Sequence, residues 1–215
     1  MTRACGEIAI GVVDVGSPKS GKLGWAVLGA DGSTTLGKDL DLFVATMADL
    51  GQHVPLAVGF EAPLFIPMRD NAMRILTARK GELSRAWSAG AGATVTTAAL
   101  GVVSYTLAGL RRRLPDAHAV LDHLTPPTRP GDALFFEAFV TSAGKGTDHA
   151  DDARLAAVEA RGLLCGDAAY RSAIDEPEVF SLLGAALLRT AWSTDTALLS
   201  APCLVVKPGF DHLSA

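Results

Sequence analysis

The chain has 215 residues, 49% of them hydrophobic and 20% charged, with a formal net charge of −4. That composition supplies ample core material and excludes a disordered chain, and it lacks the overall basic field that announces a nucleic-acid binder. Cys5, Cys165 and Cys203 are widely spaced with no CxxC pair, which reads as reduced thiols of a cytoplasmic protein, and an N-terminal apolar run broken by Asp14 is wrong for a signal peptide.

In chain order, residues 8–15 (IAIGVVDV) form a β-branched run that predicts a strand covered on both faces. The loop GSPKSGK leads to a second strand, LGWAVLG, closed by the turn Ala30-Asp31-Gly32, and residues 33–37 make a short third strand. Asp39 or Asp41 caps a helix running to about Gln52, with Phe43, Val44, Met47 and Leu50 as its apolar face. Residues 55–61 (PLAVGFE) form a fourth strand that ends at Glu61 and is halted by Ala62-Pro63. A loop-rich basic insertion, about residues 65–92, follows.

Residues 86–110 carry no charge and precede Arg111, Arg112 and Arg113, superficially like a membrane span. Val95, Ala99, Val102, Val103, Leu107 and Leu110 recur at helical spacing among threonines, so a largely buried core helix is the better reading. Residues 132–140 (DALFFEAFV) form a fifth strand, residues 149–163 and 179–192 two helices, and residues 202–207 leave room for an edge strand. With no repeat, linker or break, residues 1–215 read as one domain. Three strands joined by tight turns, then crossovers through helices, predict an α/β fold: a mixed five-stranded sheet with helices on both faces, plus a C-terminal helix. That order resembles the RNase H-like fold.

Gly16 to Lys22 satisfies GxxxxGK after a strand and invites a phosphate-loop reading. However, Leu23 stands where the magnesium-binding hydroxyl belongs, and a strand-like segment follows where a helix is needed. A hairpin with Asp14 near the end of its first strand fits better.

Asp14 within VVDVG, Glu61 after LAVGF, Glu137 within LFFEAFV, and Asp148, Asp151 and Asp152 beside His149 place acids where apolar sequence is expected. Singly, each has an ordinary explanation as a turn former, an ion-pair partner or a helix cap. Together, carboxylates from distant segments converge only if a cation offsets their repulsion. An oxygen-only set suits Mg²⁺ or Mn²⁺, which can activate water for phosphodiester hydrolysis. In the insertion, Arg69, Arg74, Arg79, Lys80 and Arg85 concentrate positive charge. Arg79, Arg85 and Trp87, with Lys145 later in the chain, are candidate substrate contacts, able to clamp phosphate and stack on a base.

Asp14 in the first strand-turn, Glu61-Ala-Pro after the fourth strand and Glu137 on the fifth make the chain resemble the DUF429 family of predicted RNase H-like nucleases, over nearly its whole length. The resemblance implies a divalent-metal-dependent nuclease with Mg²⁺ or Mn²⁺ on Asp14, Glu61, Glu137 and Asp151 or Asp152. His149 is expected among the catalytic residues, nucleic acid as partner, no membrane contact, and a homodimer is left open. One departure stands out: the last helix, EVFSLLGAALLRTAW, has Ser181 or Gly184 where the family carries an acid. Either the DHADDA run supplies the substitute or the site is incomplete. The alternatives are a catalytically inactive RNase H-like binding or scaffold protein, and a nucleotide-binding protein of the actin-like fold.

Overall fold

The computed structural model describes residues 8–82, 86–140, 145–166 and 169–213. The elements are β1 (Ala9–Asp14), β2 (Gly24–Leu28), β3 (Thr34–Gly37), α1 (Leu40–Gly51), β4 (Leu56–Glu61), β5 (Phe65–Pro67), α2 (Gly90–Arg113), β6 (Ala119–Val120), β7 (Ala133–Ala138), α3 (His149–Cys165), β8 (Val179–Ser181), α4 (Leu182–Arg189) and β9 (Val205–Val206). Seven strands form one mixed sheet in the order β3-β2-β1-β4-β7-β6, with β9 also pairing with β7. The hairpins β1–β2 and β2–β3 are antiparallel, whereas β4 joins β1, and β7 joins β4, in parallel. The fold is therefore α/β with helices on both faces.

Strand alternation divides the core in two. Ile10 and Val12 of β1, Ala57 of β4, and Leu134 and Phe136 of β7 pack on one face beneath Ala153, Ala156, Ala157 and Ala160 of α3. Ala9 and Val13, Val58 and Phe60, and Ala133 and Phe135 face the other way, against Phe43 and Met47 of α1, Leu107 of α2, and Leu183 and Leu187 of α4. Each fully buried Ile, Val or Phe here contributes about 1.5–3 kcal/mol over its exposed state.

Three details differ from the sequence expectation. The sheet has seven strands: the five expected, an edge strand at Val205–Val206 within residues 202–207, and β6, whose two residues carry too little periodicity to be read. The insertion is less loop-like than expected, since β5 pairs antiparallel with β8. Residues 179–181 were expected to be helical, but this pairing holds them extended and α4 starts at Leu182. Of the two cap candidates, Asp39 accepts from the Asp41 and Leu42 amides.

Among the described residues, α2 is the one helix long and apolar enough to cross a membrane. It is less buried than the sequence suggested. Val102, Val103, Thr106, Leu107 and Leu110 are covered, whereas Leu100 and Tyr105 are exposed.

Alanines let α3 lie close to the sheet, and Gly24 brings its first turn closer still. A Cβ on Gly24 would sit 2.4 Å from the Ala150 backbone nitrogen and 2.5 Å from the His149 carbonyl carbon. Gly24→Ala is therefore expected to cost about 1–3 kcal/mol, because backbone cannot yield as a side-chain tip can. Urea denaturation reads the loss. Gly101→Ala, whose Cβ meets nothing within 4 Å, is the control and should leave the midpoint unchanged or slightly raised.

Candidate metal centre

β1 and β4 run parallel in a register that sets Asp14 directly beside Glu61. Both residues continue the row of side chains that faces α3, two positions beyond Val12 and Gly59. Asp152, in the first turn of α3, points down at them. One carboxylate oxygen from each of the three lies within 4.8 Å of the others. Asp14 is 7% exposed and Asp152 4%, and Glu61 Oε2 is a buried oxygen with no hydrogen-bond partner. An orphaned acidic oxygen beside two further carboxylates is costly unless a proton or a cation joins it. The three can hold a metal ion.

Two nitrogen-bearing side chains border the triad. His149 Nδ1 lies 2.5 Å from Asp14 Oδ2. Lys145 Nζ lies 3.6 Å from Asp152 Oδ2, and the Gly146 amide donates to Asp152 Oδ1 at 2.6 Å. Burial pushes the Glu61 carboxyl up to about 9, reinforced by the neighbouring charges of Asp14 and Asp152. Asp14 is also raised, chiefly by burial, against the lowering effect of His149. The triad opens into a cleft of about 740 Å³ lined by the β1–β2 loop with Lys22, by the first turns of α2, and by Phe139, Lys145 and His149.

Two expected ligands lie elsewhere. Phe60, not Glu61, is the register partner of Glu137. One position of offset turns Glu137 to the opposite face of the sheet, where it is wholly buried. There it is engaged by Arg79, with Nη2 2.6 Å from Oε1 and Nη1 2.8 Å from Oε2, and it accepts the Leu64 amide. Asp151 leaves the cluster because neighbouring helical residues project about 100° apart. It accepts from the Thr147 amide at 3.0 Å and pairs with Arg154 at 2.7 Å, and these bonds hold its carboxyl below the usual range.

The expected substrate contacts in the insertion are corrected in the same way. Arg79 is 2% exposed and is held between Glu137 and Glu82, so it reaches no solvent-borne ligand. Trp87 spends its indole N–H on the Thr77 carbonyl and its amide on Glu82, and it is not among the cleft-lining residues. Arg85 lies outside the described residues. Lys145 does line the cleft. So does Lys22, whose apparent phosphate-loop motif is a short 3-10 turn, Pro18–Ser20, leading into β2 rather than a helix. Lys22 was visible in sequence only as part of that misleading motif.

Comparison with protein-family models, curated proteins and solved structures returned no match.

Two measurements check these assignments. Glu61 ordinarily ionises near 4.5 and in the fold keeps its proton to about 9, so between those values the native state binds more protons than the unfolded chain. Its contribution to stability is complete below about pH 4.5 and is lost as pH rises towards 9. Without metal, the denaturation midpoint should fall from pH 5.5 to 8.5, and Glu61→Gln should flatten that fall. An equal slope in both proteins would show that Glu61 does not carry the proton. Arg79→Met should cost about 3–5 kcal/mol, because it strands Glu137 and Glu82 without a counter-charge. Adding Glu137→Gln should recover part of that. A merely substrate-contacting Arg79 would leave stability unmoved.

Proposed function

We propose that this chain is an RNase H-like, divalent-metal-dependent phosphodiesterase that acts on nucleic acid in the cytoplasm. The observation that carries the proposal is the Asp14–Glu61–Asp152 triad with its buried, unpartnered Glu61 oxygen. The fold assignment is supported by the strand order β3-β2-β1-β4-β7, in which β2 alone runs against its neighbours in the path and the acids end β1 and β4. The substitute for the acid missing from the last helix would be Asp152 on α3.

All three donors are carboxylate oxygens, a hard set suited to Mg²⁺ or Mn²⁺ rather than to a thiophilic ion. Such an ion, when bound, would polarise a phosphoryl oxygen and lower the pKa of a coordinated water. The protein's own groups surround that chemistry. Burial at the cleft floor excludes bulk water and strengthens every charge interaction. His149, half exposed at the cleft wall, is placed to move a proton, and its contact with Asp14 fixes the ring. Lys145 and Lys22 bring positive charge to the side from which a phosphate would enter.

A second reading has its own observation. His149 and Lys145 already face Asp14 and Asp152, so two of the three acids have side-chain partners without any metal, as a catalytically silent binding or scaffold protein would require. Thermal unfolding separates the two. A ligand at 100 times its dissociation constant adds about 2.7 kcal/mol, so excess Mn²⁺ should raise the melting temperature of the wild type. Asp14→Asn should abolish that rise while leaving metal-free stability equal or higher, since one repelling charge is gone. Indifference of the wild type to both Mg²⁺ and Mn²⁺, with Asp14→Asn destabilised, would replace the nuclease by the scaffold.

A further inference from the structure

The cleft over the triad does not end at the triad. A second cavity of about 880 Å³ lies beyond it, lined by Gly16, Ser17, Pro18, Lys38, Asp39, Asp41 and the middle of α2. Gly16, Ser17 and Ala98 line both cavities, so the two are segments of one groove between the β1–β2 loop and α2. The α2 wall confirms the continuity: Ala91, Thr94, Val95 and Ala98 line the inner segment, and Ala98, Gly101, Val102 and Tyr105 the outer one. Their spacing of three and four residues makes them one helical face. From Ala91 to Tyr105 this face runs about 21 Å at 1.5 Å per residue.

We infer that this groove is the binding track of a single-stranded polynucleotide, about six stacked nucleotides at roughly 3.4 Å each, with Tyr105 as its outer base-stacking platform. The inference rests on the phosphodiesterase reading of the triad. Three features of the walls select a single strand over a duplex. The reacting acids are buried at the groove floor, so the scissile phosphate must descend between the loop and the helix, which a flexible strand can do. The charge along the track is also wrong for a duplex. Duplex DNA carries one negative charge per 1.7 Å or so of axis, yet the groove offers Lys22 and Lys145 within and Lys38 beyond, and its outer segment contains Asp39 and Asp41. A single strand can turn neutral bases towards that acidic outer segment and present its phosphate only at the inner end.

The third feature is Tyr105. Its side chain is 48% exposed on an otherwise small-residue wall, and its hydroxyl donates to Asp41 Oδ1 at 2.5 Å. The ring is thereby held at a set orientation while about half exposed, which suits sequence-tolerant stacking.

The test uses the full chain with Mn²⁺ and two classes of substrate. Bis(p-nitrophenyl) phosphate, a small diester, reads the triad alone, and oligothymidylates of two to twelve nucleotides read the groove. Specificity, kcat/KM, should climb with oligonucleotide length and level off near six. A blunt duplex of the same length should be at least tenfold poorer. In Tyr105→Ala the ratio of oligonucleotide to small-diester kcat/KM should fall about tenfold, mainly through KM. Tyr105→Phe, which keeps the ring but loses the Asp41 bond that orients it, should recover most but not all of the ratio. Hydrolysis of both classes with no dependence on length or on the Tyr105 ring, or with a duplex cleaved equally well, would overturn the track and leave the phosphodiesterase standing. Failure to hydrolyse either class would remove the phosphodiesterase reading, and the track with it.

Discussion

Asp14 and Glu61 occupy the same level of two adjacent parallel strands, both turned towards α3, and Asp152 descends onto them from the helix. Three carboxylates within 4.8 Å of one another cannot all be ionised in a buried site without help. This repulsion is the constraint around which the rest of the structure is arranged. Burial first and this repulsion second drive Glu61 to hold its proton to about 9, and His149 and Lys145 lean in from the edges.

The opposite face of the sheet solves a different electrostatic problem with a different device. Glu137 is buried there as deeply as any hydrophobic residue, and Arg79 reaches it through two short hydrogen bonds while also bonding Glu82. Glu82 in turn accepts from the Arg79 and Trp87 amides. The cluster ties the insertion to the central strand and so holds the wall from which α2 springs. A buried ion pair of this kind is weak evidence for net stability, but removing one partner is expensive. Arg69 repeats the pattern nearer the surface by pairing with Glu176, whose second oxygen accepts the Lys80 amide. Positive charge in the insertion is thus spent on internal partners at Arg79 and Arg69, and the cations facing the cleft are Lys22 and Lys145 instead.

Helix α2 combines the two regions. Its C-terminal half is packed by α1 and α4 and behaves as core. One face of its N-terminal half and middle is bare of large side chains until Tyr105, and that bareness is what leaves room for a groove. The absence of charge from residues 86–110, which by composition alone imitates a membrane span, has a local physical cause in this arrangement. Alanine, glycine and threonine keep a helix close to a loop and a site without filling the space between.

Much of the framework was legible in the residues themselves. Continuous apolar runs located β1, β2, β4 and β7, the spacing of Phe43, Val44 and Met47 located α1, and acids in apolar runs marked Asp14 and Glu61. These signals are local: period, caps and turn residues act within a few positions, and a carboxylate in a hydrophobic run is anomalous wherever it lands. Which acids meet was decided by tertiary structure. A shift of one position in strand register moves a side chain to the other face of a sheet, and Phe60 rather than Glu61 lies level with Glu137. The sequence shows acids on the fourth and fifth strands but not that offset. The same limit applies to Arg79, whose neighbours in the sequence do not mark it as buried and whose burial follows from Glu137, 58 residues away. Asp151 and Asp152 were likewise equivalent in the sequence, and the choice fell to Asp152 because neighbouring helical residues project about 100° apart and only one of the two can face the sheet.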